Sequence, residues 1–290
     1  MKKTFKLTAV FFIMAFFGGG LLSAQEEPAP IKVIPVKGNI YEVIGGRGAN
    51  AGFFIGEKEV LLIEAKMDKK SAQEMIAEIK KLTPKPIKYV VLTHSDGDHV
   101  NGLNGFPQDI NIISHFNTRR DMEQAFKEAE QRLYLPRITF SKKLKLHLGQ
   151  ELIELLYFYP AHTDGDIVIF FPAEKVAFLG DLIFLNREPL IHRHKSGNSF
   201  GLVKTLKEIL KLDADTFVHG HGDIASRQDV EGVIASLQEK QTKIKALIEE
   251  GKTLPEIKKI FKVEDRPARP GGRPWLSLVE IIYLELTESK

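Results

Sequence analysis

The sequence predicts an α/β (α+β) protein in which two mixed β-sheets pack face to face with helices outside. Three observations lead there. Apolar strand-like runs and amphipathic helical stripes come in two successive halves, roughly 31–135 and 136–250, each β-rich first and helical later. No short-period repeat points to a solenoid. Several of the apolar runs end directly in loops of His, Asp and Gly, the usual way a sheet edge presents polar groups. At 290 residues there is ample length for a large core.

The elements follow in order. Residues 31–35, 40–44, 51–55 and 60–64 read as short strands separated by Gly38, Gly45-Gly46 and Gly56, an antiparallel opening. The Gly45-Gly46-Arg47-Gly48 turn reads as a hairpin or mobile flap. Residues 71–82 carry Met75, Ile76, Ile79 and Leu82 at helical spacing, and Pro84 and Pro86 end that stripe. A β-branched run over 86–92 follows, then a strand over 110–113 and a charged helix over 118–133. Residues 144–148 and 152–158 form a hairpin around Gly149, and strands over 167–171 and 175–179 flank Pro172-Ala173. Later come a helix over 202–212, a short strand over 216–218, helices over 230–250 and 254–261, a Pro/Gly/Arg loop over 266–274 and a helix over 276–286. Phe53, Phe54 and Phe106 belong to the core.

The N-terminus is a targeting segment. Lys2, Lys3 and Lys6 precede an apolar stretch over 7–22, and Ser23-Ala24 supplies the small residue of a cleavage site. The reading is a signal peptide over 1–24, a polar linker over 25–30, a main domain over 31–227 and a helical extension over 228–290 packed on it. An uncleaved anchor is the alternative; the run is short for a span and contains Gly18-Gly19-Gly20. An exported, periplasmic or secreted protein is therefore expected, with no stable membrane insertion after cleavage. There are no cysteines, so disulfides, thiolate ligands, a cysteine nucleophile and a lipid-modified cysteine are all excluded. Of the 41 basic residues three lie in the leader, leaving 38 against 38 acidic ones. That balance argues against a nucleic-acid partner.

The chemistry centres on Thr93-His94-Ser95-Asp96-Gly97-Asp98-His99. Two imidazoles and two carboxylates within six positions, at the end of a buried strand, suit a divalent cation such as zinc, iron or manganese. Three later strands end the same way. One leads to His162 with Asp164 and Asp166, one to Gly180-Asp181, and one to His219-Gly220-His221-Gly222-Asp223. No phosphate loop or dinucleotide fingerprint competes with them.

This ordered set, over about 38–225, resembles the metallo-β-lactamase-fold superfamily. The resemblance implies a four-layer αββα sandwich. It also implies one metal at His94, Asp96 and His162, a second at Asp98, His99 and His221, and Asp181 bridging them. Asp96 is a departure, because the family usually has His there. The harder donor favours iron or manganese more than usual. Weaker metal binding at that site, leaving a mononuclear enzyme, is a further expectation. Zinc remains the first expectation. His219 lies on the same strand face as His221, and only the Gly-His-Gly context selects His221; His219 is then a supporting residue. Glu64, where the family has Asp, is expected to buttress the loop backbone or a ligand His. Asp164 is expected to orient His162 or to cap the following turn. His115, His147, His192 and His194 match no motif position and read as surface residues, although His192 and His194 lie on a segment that would overhang the site.

The activity this implies is hydrolysis of an ester, thioester, amide or lactam bond of a small molecule, with a metal-activated hydroxide and Asp98 as the catalytic carboxylate. A diiron-type oxidoreductase and a non-catalytic metal-binding or sensor protein are the alternatives. The oligomeric state is left open.

Overall fold

The computed structural model describes residues 27–264 and 275–288. The expected leader and the Pro/Gly/Arg loop lie outside the described residues. The first sheet holds seven strands in chain order: β1 (Lys32–Lys37), β2 (Ile40–Ile44), β3 (Ala51–Ile55), β4 (Val60–Ile63), β5 (Ile87–Val91), β6 (Asn111–His115) and β7 (Ile138–Phe140). The strands β1 to β4 form an antiparallel meander, and β4 to β7 run parallel. Helix α1 (Lys69–Leu82) crosses from β4 to β5. It is followed by a single turn α2 (Gly97–Val100), then α3 (Phe116–Ala125) and α4 (Ala129–Arg132).

The second sheet has five strands: β8 (Lys143–Leu148), β9 (Glu151–Tyr157), β10 (Ile167–Phe171), β11 (Val176–Phe178) and β12 (Thr216–Val218). All neighbours are antiparallel except β11 and β12. The outer helices are α5 (Ser199–Ile209), α6 (Arg227–Glu249), α7 (Leu254–Ile260) and α8 (Leu278–Glu288). None of the described helices is long and apolar enough to cross a membrane.

The period-2 side-chain alternation of the strands builds the layers. Leu61, Ile63 and Val91 point between the sheets and meet Ile153, Leu155, Ile169 and Phe171. Leu62 and Val90 point the other way, onto Met75 and Ile79 of α1. Val168 and Phe170 face outward against Leu202, Leu206, Val230, Ile244, Ile257 and Ile281, so the helices after residue 227 share one apolar cluster with α5. The predicted αββα sandwich is the observed fold.

Some element boundaries differ from expectation. The charged helix over 118–133 is two helices, broken where Phe126 turns extended and Glu128 opens a new capping box. The strand β7 is not among those expected: three residues are too few to show an alternation, and Ile138 and Thr139 are exposed. The fifth helix starts at Ser199, three residues early, where the Asn198 side chain accepts from the Gly201 N–H. The 45–50 turn is a tied hairpin loop, not a flap: Ala49 N donates to Asp98 O and Asn50 N to Gly220 O.

Candidate metal centre

The ligand-type residues arrive from the C-terminal ends of strands. Glu64 ends β4 with φ +68°, a left-handed backbone that costs on the order of 1–3 kcal/mol in a non-glycine residue. That turn aims its carboxylate at the β5 loop. Its Oε1 accepts from Thr93 N at 2.9 Å, and its Oε2 lies 3.3 Å from His99 Nδ1. Thr93 Oγ1 is 2.8 Å from His94 Nδ1, and Leu190 O is 2.7 Å from His162 Nδ1. The Nδ1 atoms of His94 and His162 are hydrogen-bonded from behind and that of His99 faces Glu64, so the Nε2 atoms are left for the centre.

The seven expected residues converge. Asp96 Oδ2 lies 3.2 Å from His162 Nε2 and 3.9 Å from His94 Nε2. Asp181 Oδ1 is 3.2 Å from His99 Nε2, and its Oδ2 is 3.4 Å from His221 Nε2. His221 Nε2 lies 3.2 Å from Asp98 Oδ2. Three groups have donor atoms spaced to hold an ion: His94 with His99 and Asp181; His94 with Asp96 and His162; Asp98 with His99 and His221. His94 and His99 recur between groups, and Asp181 stands between the two histidine-rich ends.

Buried polar atoms without partners test whether a cation fits. His94 Nε2, His99 Nε2 and Asp181 Oδ1 are buried and make no hydrogen bond, a costly arrangement unless something accepts their lone pairs. The donor set of imidazole nitrogens and carboxylate oxygens is that of a zinc, iron or manganese site. Gly220 leaves no room for a side chain, since a Cβ there would fall on Asp181 Oδ1 and the His99 ring. Gly180 takes a left-handed φ of +53°, which turns the backbone so that Asp181 enters the centre.

The charges respond to this crowding. Burial pulls the His162 pKa down, but Asp96 beside it outweighs that and lifts it to about 9. His221 also rises to about 9, against burial, because of Asp181 and Asp98. Burial and the neighbouring His99 hold His94 well below its ordinary value. Asp181 stays well below the usual carboxylate range despite burial, through His99 and His221.

The family model of the metallo-β-lactamase superfamily matches residues 44–221. The chain belongs to that superfamily. Metallo-β-lactamase IND-1 of Chryseobacterium indologenes is 24% identical over 250 residues, covering 83% of this chain and 100% of its own. The 2,4-dinitroanisole O-demethylase subunit alpha of Nocardioides sp. (strain JS1661) is 24% identical over 199 residues, 68% of this chain. The chain spans only 59% of that subunit's length. Among solved structures, a metallo-β-lactamase from Pontibacter korlensis superposes with TM-score 0.63 at 18% identity, over 72% of this chain and 99% of its own. The sec-alkylsulfatase Pisa1 from Pseudomonas sp. gives TM-score 0.69 at 16% identity, over 89% of this chain and 50% of its own. The metallo-β-lactamase fold implies divalent metal binding, in keeping with the His/Asp groups.

His221 reaches Asp98 and Asp181, and His219 is buried behind it, its Nδ1 accepting from His221 N at 3.4 Å. Other expected roles change. Asp164 does not orient His162, whose Nδ1 is taken by Leu190 O; Asp164 pairs with Arg120 at 2.8 Å. His115 is not a surface residue: it is buried, caps α3 and stacks on Tyr157. His192 is not one either. Its Nε2 lies 2.8 Å from Asp96 Oδ2. Lys195, which no motif marked, places Nζ 2.6 Å from Asp96 Oδ1. The only sequence signal for both is their place on the segment after Asp181. His147 and His194 are exposed as expected.

Proposed function

We propose that this protein is an exported metal-dependent hydrolase of small molecules, cleaving an ester, thioester, amide or lactam bond. The observation that carries it is the convergence of His94, Asp96, Asp98, His99, His162, Asp181 and His221, with buried atoms of His94, His99 and Asp181 that make no hydrogen bond. Zinc is the expected metal in two sites, with iron or manganese favoured more than usual by Asp96. Export rests on the 1–24 leader alone.

A divalent metal held here supplies Lewis acidity and a water acidic enough to give a nucleophile near neutral pH. The protein's part is positioning and proton handling. Burial raises the Asp98 pKa, but His221 and His99 outweigh it and keep the carboxylate below its ordinary value. Asp98 is therefore ionised at neutral pH and can accept a proton from an attacking water. A groove of about 680 Å³ is lined by Leu190, Ile191, His192, Arg193, His194, Trp275 and Leu276. His192 links that groove to the centre, which suits a small substrate with an apolar portion. The relatives include a lactamase, an O-demethylase subunit and an alkylsulfatase, so the fold does not select one bond. The carboxylate at Asp96 also favours a second reading, an iron-dependent oxidoreductase.

Metal analysis of the purified full chain, with a panel of chromogenic lactams, esters and thioesters, tests the reading. Expected are bound divalent metal, and turnover of at least one substrate that a chelator abolishes and added metal restores. Asp181→Ala should lose metal and turnover together while its circular dichroism is unchanged. An active Asp181→Ala protein removes that residue from the centre. Bound iron with oxygen consumption and no hydrolysis selects the oxidoreductase, and no metal with no turnover leaves a non-catalytic scaffold.

A further inference from the structure

The candidate groups resemble one another in donor type but differ in what else touches them. Both oxygens of Asp96 are engaged. Lys195 Nζ lies 2.6 Å from Oδ1 and 3.0 Å from Ser95 Oγ, while His192 Nε2 is 2.8 Å and His162 Nε2 3.2 Å from Oδ2. The Lys195 and Asp96 side chains are only 20% and 14% exposed, so water screens the pair weakly. By contrast, the ion pairs of Asp98 and Asp181 run to His99 and His221, and among the described residues neither pairs with a lysine or arginine.

The lysine is held there by its backbone. His192 N donates to His162 O at 2.8 Å, Lys195 N to His192 O at 2.8 Å, and Asp164 N to Lys195 O at 2.9 Å. A short helical turn, Arg193–Lys195, is thus tied to the loop that carries His162. An exposed lysine on a loose loop would sweep many positions, but this one starts from a fixed point beside its partner.

An aspartate where a neutral imidazole would serve adds a negative charge, which by itself attracts a cation. Lys195 cancels that charge, and a dication between His94, Asp96 and His162 would lie close to the ammonium. We propose that Lys195 makes the two sites unequal. Its ammonium holds Asp96 in place of a metal, so the chain keeps one divalent ion at Asp98, His99, Asp181 and His221 and takes a second at His94, Asp96 and His162 only weakly. Lys195 is then a positioning residue with a charge function. The inference rests on the metal-centre reading above.

Metal stoichiometry tests it without an activity assay. The full chain is stripped with chelator and titrated with Zn²⁺ by calorimetry, and the metal retained after gel filtration is counted. The wild type should retain one equivalent and bind a second at least about tenfold more weakly. Lys195→Met should leave the first step unchanged, which also reports an intact fold, tighten the second by about tenfold or more, and retain two equivalents. Lys195→Arg should keep the wild-type pattern. Two equivalents of indistinguishable affinity in the wild type would overturn the proposal. A second step unchanged or weakened in Lys195→Met would also overturn it, since the lysine would then only orient Asp96. A wild type that retains no metal would take down the metal-centre reading and this inference with it.

Discussion

Glu64 shows how much one side chain does in this centre. It satisfies the Thr93 N–H with one oxygen and faces His99 Nδ1 with the other, from a left-handed backbone position. Replacing it with Ala leaves a buried N–H unpaired and frees the His99 ring. Glu64→Ala should therefore lose about 1–3 kcal/mol in urea unfolding and about 10–100-fold in metal affinity by competition with a chromogenic chelator. A variant with normal metal affinity would mean that His99 is held by its packing alone. The role of Glu64 was legible in the sequence through the family resemblance, in which the strand ahead of the ligand loop ends in an acidic residue. His192 and Lys195 were not, because they reach Asp96 across about a hundred positions of chain and belong to no periodic pattern.

At the scale of elements, strands were the most readable, because a short apolar run bounded by glycine is too brief for a stable helix and fits naturally into a sheet. The strand β5 is buried at Val90 and Val91 and delivers the His94 loop, as its β-branched run implied. Helix ends were less readable, since capping depends on side-chain geometry. Helix α1 is capped by Asp68, whose carboxylate accepts from Ser71 N at 2.8 Å. Asp68→Ala should cost about 1 kcal/mol of stability. The helix packs on the outer face of the first sheet, away from the ligands, so metal stoichiometry should not change. Thermal unfolding and metal counting on the same sample check both parts. A loss of metal would show that the outer helix layer transmits to the sheet edge. The break between α3 and α4 is hidden in the sequence because Phe126-Lys127-Glu128 carries no Gly or Pro, and only the capping box at Glu128 reveals it.

For the whole molecule, the charges at the centre set a dependence on pH. In the metal-free protein His162 and His221 titrate near 9, above the unfolded value of 6.5. The folded state then binds more protons than the unfolded one between those values. The stability these two contribute is fully present below pH 6.5 and is lost as pH rises through 9. Metal ligation requires neutral imidazoles and so improves over the same range. The melting temperature of the metal-free protein should fall from pH 6.5 to 9, and the increment on adding Zn²⁺ should grow. Differential scanning fluorimetry with and without metal measures both. An increment independent of pH would mean that these histidines are already neutral in the metal-free state.

The sequence by itself determined the sandwich and the identity of the candidate ligands. Alternating burial and strand-end loops are local patterns, and each ligand sits within a few residues of the strand that delivers it. Only the tertiary structure decided which oxygen faces which ring, and that a lysine sits on Asp96. Those choices depend on the approach of loops from two sheets, where chain connectivity imposes no spacing and a difference of an ångström separates a ligand from a neighbour.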